Sequence, residues 1–204
     1  MITMSHHFDY IRKQIAANDN TLAEARRRQD LALKSASSFA GVLRTYKSGS
    51  LAHLTVNDPV QDADCGLVLN RQVFLRLGPD GDDVGPSDLL EDFRAFLGPK
   101  VRMQYPSAHL RITKRAVKIF FSCALPSGED PTVDIVVGLT RRDGAGLWIP
   151  NTQQDRWDPS HPERHTELFS LPSESVAAVR RRAVRLAKEW NNSFLRPRAL
   201  QLQR

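Results

Sequence analysis

Apolar residues recur at helical spacing near the N-terminus. Phe8, Ile11 and Ile15 predict a helix over 5–18, broken by Asn18-Asp19-Asn20. Thr21 and Glu24 have capping-box spacing and open a second helix. Its inner side is Leu22, Ala25, Ala32, Ala36 and Phe39, and Gly41 ends it. Val42 to Leu54 reads as a strand, a tight Ser48-Gly49-Ser50 turn and a short continuation. From Cys65 to Leu77, Leu67, Leu69, Val73, Leu75 and Leu77 alternate with a period of two, with an irregularity near Asn70-Arg71, so this stretch is the clearest strand. Gly78 to Gly85 is a turn region. Pro86 and Ser87 open a helix that Gly98-Pro99 stops after Leu97. Further strands are predicted at Val101–Tyr105, Ala116–Leu125 and Thr132–Leu139. Residues 144–160 read as irregular. Pro162 starts a short helix to Phe169, and Ser173 caps a long one to about Asn191. On that last helix Val176, Val179, Ala183, Ala187 and Trp190 form an apolar stripe, opposite a basic face of Arg181, Arg185 and Lys188.

Helices, then a strand-rich middle with one inserted helix, then helices again define an α+β (mixed α/β) fold: a central mixed sheet flanked by helices. Residues 1–204 are read as a single domain. Its parts are N-terminal helices (1–40), the sheet (41–140), and a loop with C-terminal helices (141–204). Apolar residues make up 41% and charged residues 25%, which supports a packed core and excludes wholesale disorder. No apolar run approaches the roughly 18 residues of a membrane helix, so no membrane partner is expected. Met1-Ile2-Thr3-Met4-Ser5-His6-His7 lacks an apolar secretory core, and two cysteines make no disulfide framework. A cytoplasmic location is the expectation.

Charge changes the picture more than composition does. The net charge is +6, and Arg156 to Arg204 holds ten Lys/Arg against five Asp/Glu, which is +5. That imbalance suits a polyanionic partner, although a solvated helix face gives the same arithmetic.

Three acids stand out by their setting. Asp62 and Asp64 lie at the head of the Cys65–Leu77 strand, and residues two apart on a strand point to one face about 6 to 7 Å apart. Asp134 sits inside the apolar run Thr132-Val133-Asp134-Ile135-Val136-Val137, where a charge is costly without a partner. If the two strands are neighbours, the three carboxylates converge and call for divalent cations. Asp-x-Asp alone says little, since Asp80-Gly81-Asp82 is a turn, and for Asp134 alone a strand carboxylate paired with an arginine stays open as the lesser alternative. Order adds the specificity. Gly49-Ser50, at a turn where backbone N–H groups and a hydroxyl can approach a phosphate, precedes the pair of acids, and Asp134 follows on a later strand.

Gly49-Ser50, Asp62-Ala63-Asp64 and a single Asp134 in an apolar strand resemble the polymerase-β-like nucleotidyltransferase superfamily. Within it the chain is most similar to the cGAS/DncV-like (CD-NTase) and oligoadenylate-synthase branch. The N-terminal helix with Phe8 and Ile11, Asp158-Pro159 with His165, and Val184-Arg185-Leu186-Ala187-Lys188-Glu189-Trp190 agree with that branch. The resemblance spans about residues 5 to 192. It departs at Leu54, where the branch often has glycine before Thr55, and beyond Trp190, where the branch continues with further helices. A fragment, a minimal relative, or a chain completed by a partner protein on its C-terminal side each fit that second departure.

The resemblance implies a Mg2+-dependent nucleotidyltransferase, with two ions and with Mn2+ as an alternative. Asp62, Asp64 and Asp134 would be its metal ligands and catalytic residues. Gly49, Ser50 and Lys188 would bind the nucleotide. Its substrates would be nucleoside triphosphates such as ATP, and its product a cyclic or linear oligonucleotide second messenger of antiphage defence. Two alternatives stay open: transfer onto tRNA or a protein hydroxyl, and a non-catalytic nucleotide- or RNA-binding module using the basic last helix.

Other candidates carry less. His161 and His165 have zinc-ligand spacing without a third ligand. Trp148, Trp157 and Phe169 suit core packing or base stacking. There is no Gly-x-x-x-x-Gly-Lys-Ser/Thr loop and no Gly-x-Ser-x-Gly elbow, and neither Cys65 nor Cys123 has features of a nucleophile.

Overall fold

A computed structural model of the chain describes residues 4–81 and 85–195. In chain order the elements are α1 (Met4–Gln14), α2 (Asp19–Ala36), β1 (Val42–Ser48), α3 (Gly49–Ala52), β2 (Asp62–Leu69), α4 (Pro86–Arg102), β3 (His109–Ile112), β4 (Val117–Phe120), β5 (Thr132–Thr140), β6 (Leu147–Asn151), β7 (Arg156–Ser160), α5 (Pro162–Leu168) and α6 (Glu174–Leu195). The strands form one sheet in the order β1-β2-β5-β4-β3, and β6 pairs with the end of β5 and then with β7. β2 and β5 run parallel; every other strand pair among the described residues is antiparallel. The α+β class with a mixed central sheet is therefore as predicted.

Alternation gives the sheet two unlike faces. Ala63, Cys65, Leu67 and Leu69 on β2 and Val133, Ile135, Val137 and Leu139 on β5 point into the main core. Helices α2 and α4 cover that face with Ala25, Ala32, Ala36, Leu90, Phe93 and Leu97, the small alanines letting α2 lie close. The residues of opposite parity, Asp62, Asp64 and Asp134, lie on the other face.

A buried cation ties α2 to the strands. Arg28 is fully buried, yet donates to Glu24 and Asp130 carboxylates and to the carbonyl oxygens of Pro131 and Cys123. Glu24 also accepts from Arg27 and from the Tyr105 hydroxyl. Burial pushes the Glu24 carboxyl up, but these donors outweigh it and hold it down at about 2. The adjacent Gln29 side chain donates to the main-chain oxygen of Asp64 at 2.7 Å. One turn of α2 thus grips the heads of both β2 and β5.

Several predicted boundaries move. β2 starts at Asp62 and ends at Leu69; residues 70–76 form turns, because Asn70 accepts from Val73, Phe74 and Gln72 and curls the chain away. The helix opened by Pro86 does not stop at Gly98-Pro99. Leu97 and Val101 are both core residues, so burial carries α4 to Arg102 and converts the predicted Val101–Tyr105 strand into helix and turn. β3 sits instead at His109–Ile112, β4 is only Val117–Phe120, and β6 and β7 lie where irregular chain was expected. The continuation after Gly49-Ser50 is helical rather than extended. Asn18, not Thr21, caps α2, by accepting from Asn20 and Thr21 N–H groups.

Helix α6 packs through the side opposite its apolar stripe. Its basic face meets the domain: Arg185 donates to Asn57 Oδ1 and to the Ile15 carbonyl oxygen at 3.1 and 3.0 Å, and Asn57 Nδ2 donates back to the Arg185 carbonyl at 2.9 Å. Val179 and Trp190 of the apolar stripe face solvent, 64% and 71% exposed. Polar hydrogen bonds, not the apolar stripe, dock α6.

Replacing Arg28 by Ala takes the shared cation from the part-buried Glu24 and Asp130 carboxylates and leaves the Pro131 and Cys123 carbonyl oxygens without their donor, and the expected loss is about 3 to 5 kcal/mol. Urea unfolding of Arg28→Ala against the wild type measures it; a loss below about 1 kcal/mol would show that the clamp is not structural.

Candidate functional site

The site is built by register. Asp64 on β2 stands directly opposite Asp134 on β5, and Asp62 lies two residues back on the same face. On its other side Asp64 pairs with Ser48, the last residue of β1, so the chain reverses into Gly49 beside the Asp64 side chain. Gly49 has φ of +67°, and a Cβ there would sit 1.8 Å from Asp64 Oδ2. Only glycine fits both the backbone and the space. Ser50 follows in the first turn of α3, and Leu51 of that short helix is buried in the core. The structure therefore brings together Gly49, Ser50, Asp62, Asp64 and Asp134.

Asp62 and Asp134 crowd Asp64. Burial first, and then the Asp62 and Asp134 charges, push the Asp64 carboxyl from its ordinary 3.8 up to about 6, against the pull of Lys118 and Lys188. Hard oxygen donors with unrelieved negative charge are the chemistry that Mg2+ or Mn2+ accepts. One contact works against it. Lys118 on β4 is opposite Asp134 on β5, and its ammonium donates to Asp134 Oδ2 at 2.9 Å. Among the described residues no three Asp, Glu, His or Cys side chains gather closely enough to enclose an ion as they stand. The oxygen donors are of the type that divalent cations take, and Lys118 occupies one oxygen of Asp134.

Lys188 reaches this end of the sheet from α6. Its ammonium donates to the Thr55 carbonyl oxygen at 3.2 Å, in the loop between α3 and β2. Burial pushes it down, while Asp62 and Asp64 pull it up, so it lies within the field of the acids. Leu54, where the resembled branch often carries glycine, adopts φ of +57° just before Thr55. The leucine thus keeps the glycine-like backbone, at a cost of roughly 1 kcal/mol.

Other candidates resolve as packing. Trp157 is buried, Trp148 packs on the core edge beneath Arg141, and Phe169 stacks on His53 at 4.4 Å. Asp158 accepts from Asn151, Arg115 and Arg156 and holds the β6–β7 hairpin. His161 stands just before α5 and His165 lies within it, and among the described residues no metal-holding group includes them.

Sequence reasoning missed Lys118, Asn57, Thr55 and Gln29. A signal for Lys118 was present: Val117-Lys118-Ile119 puts a lone cation between two apolar strand residues, the pattern that also marked Asp134.

No protein-family model matches the sequence, and no curated protein matches it significantly. Solved structures do match its fold, which is that of the polymerase-β-like nucleotidyltransferases. More particularly it is the cGAS/DncV-like fold of the bacterial CD-NTases. CdnE of Elizabethkingia meningoseptica, a cyclic dinucleotide synthase solved with GTP and Apcpp, is 13% identical and superposes with a TM-score of 0.63 over 95% of this chain and 68% of its own. CdnG of Bradyrhizobium diazoefficiens, solved with GTP, is 16% identical, with a TM-score of 0.60 over 82% and 47%. CdnC of E. coli MS115-1, solved with HORMA-deltaN, is 20% identical, with a TM-score of 0.60 over 94% and 57%. The chain thus spans about half to two-thirds of the length of these structures. No described helix is long and apolar enough to cross a membrane.

A folded carboxyl that titrates above its unfolded value favours folding when protonated. Its contribution is full below about 3.8 and fades as pH rises through about 6. In EDTA, Asp64→Asn removes that loss, so its stability advantage over wild type is expected to grow between pH 4 and pH 7. Urea unfolding across this range tests it, and a gap independent of pH would contradict the crowding of the acids.

Proposed function

We propose that this chain is the core of a metal-dependent nucleotidyltransferase. The observation that carries the reading is the β2–β5 register, which sets Asp64 opposite Asp134 on the face shared with Asp62 and beside Gly49. Asp62, Asp64 and Asp134 are the residues that would hold two Mg2+ ions, or Mn2+. Divalent cations, when bound, supply the positive charge that stabilises the entering and leaving oxygens of phosphoryl transfer.

The chain's own groups do the remaining work. Gly49 lets the backbone turn closely past Asp64, and the Ser50 hydroxyl with its neighbouring N–H groups steadies the β- and γ-phosphates. Lys188 adds a cation at the triphosphate end of the site. An acceptor hydroxyl oxygen bonds to the α-phosphorus in line, the bond to the bridging oxygen breaks, and pyrophosphate leaves as the hydroxyl proton is released. The product class is a cyclic or linear oligonucleotide made from nucleoside triphosphates, serving as a second messenger of antiphage defence. Three solved neighbours support the substrate class: two were solved with GTP and one of these also with the triphosphate analogue Apcpp, while a CdnC from E. coli MS115-1 was solved with ATP.

Incubation of purified protein with labelled nucleoside triphosphates and Mg2+ or Mn2+ tests this. Pyrophosphate and an oligonucleotide product are expected from the wild type, with a loss of about a thousandfold in Asp62→Ala/Asp64→Ala. Product that appears only when total RNA or a protein acceptor is added would move the reading to macromolecular transfer. An equal absence of pyrophosphate from wild type and variant, with every acceptor supplied, would overturn catalysis.

A further inference from the structure

Across the sheet the acids do not stand alone. One row of register partners runs Ser48, Asp64, Asp134, Lys118, Arg111 over β1, β2, β5, β4 and β3. The row passes from two carboxylates to two cations, and the change of sign falls between Asp134 and Lys118. Lys118 is flanked in sequence by Val117 and Ile119, both fully buried in the core on the opposite side of the sheet. Alternation therefore fixes Lys118 on the acid face.

Its direction along that face is also set. On one side stands the Arg111 guanidinium, a like charge directly across the β3–β4 pair, which is unfavourable. The Arg111 guanidinium and the Lys118 ammonium both lie near the Phe120 ring, 5.4 and 6.0 Å from its centre, and His109 stacks on that ring. On the other side is Asp134, with its oxygen 2.9 Å from the ammonium. Both side chains of the pair are about four-fifths shielded from water, so salt screens the contact only in part.

We propose that Lys118 is a built-in counter-ion for Asp134, so that a divalent cation must displace its ammonium to complete the site. The inference rests on the proposed metal-dependent reading and adds a residue to it. With Lys118 engaged, Asp62 and Asp64 have two carboxylates to offer and the third is taken. When the ammonium leaves Asp134, all three become available. Lys118 is a positioning residue: it sets how readily the site fills and how the metal-free protein tolerates three neighbouring acids. The metal requirement of the protein is then a competition between two cations for one carboxylate.

Calorimetric titration with MnCl2 at pH 8 and low salt tests this, using wild type, Lys118→Met, Lys118→Gln and Asp134→Asn. Circular dichroism checks that each variant folds. Both Lys118 variants are expected to bind Mn2+ about fivefold more tightly, the factor a partly buried ion pair is worth. In EDTA both should unfold at lower temperature than wild type, and Mn2+ should raise them more. In an Asp134→Asn background the Lys118→Met change should leave Mn2+ affinity unaltered, because the contested carboxylate is gone. Equal or weaker Mn2+ binding by two folded Lys118 variants, with wild type binding Mn2+ normally, would overturn the counter-ion and leave the nucleotidyltransferase reading intact. No Mn2+ uptake by any form would overturn both.

Discussion

The structure depends on a grip between α2 and two strands. Arg28 binds the segment Asp130–Pro131 just ahead of β5, and its neighbour Gln29 binds the main-chain oxygen of Asp64 in β2. Since β2 and β5 are parallel, no hairpin fixes their alignment. A slip of one residue would send Asp134 into the core and Val133 or Ile135 to the acid face. The buried guanidinium is thus a structural charge whose consequence lies on the far face of the sheet.

A second tension runs through the site. The sheet assembles negative charge at one end of β2 and β5, and the fold answers it with side-chain cations. Lys118 meets Asp134 directly, while Lys188 arrives from α6 and is held by Thr55. The docking of α6 follows the same logic. Arg185 and Lys188 reach carbonyl oxygens and the field of the acids, while Val176, Val179 and Trp190 are left outward.

Much of this was legible in the sequence. The two helices before the sheet, the strand around Asp134, the Gly-Ser reversal and the last helix all follow from local periodicity and turn chemistry. The convergence of Asp62, Asp64 and Asp134 followed from treating an acid in an apolar strand as an anomaly. What local rules missed came from tertiary burial and from an unrecognised turn. Val101 drew α4 through Gly98-Pro99, and Asn70 ended β2 although apolar residues at 73, 75 and 77 kept the strand period. Val73 and Leu75 are largely exposed, so the alternation there reports no buried face. Lys118 escaped because its meaning lies in a cross-strand partner sixteen residues away, and the outward apolar stripe of α6 runs against the rule that such a stripe faces inward.

The proposed site requires acids from β2 and β5 to hold one cation together. A crystal soaked in Mn2+ and measured at the manganese absorption edge tests it most directly. The expected result is an anomalous peak about 2.2 Å from carboxylate oxygens of Asp64 and Asp134, with the Lys118 ammonium drawn off. Manganese bound elsewhere, with the Lys118–Asp134 pair still closed at saturating metal, would contradict it.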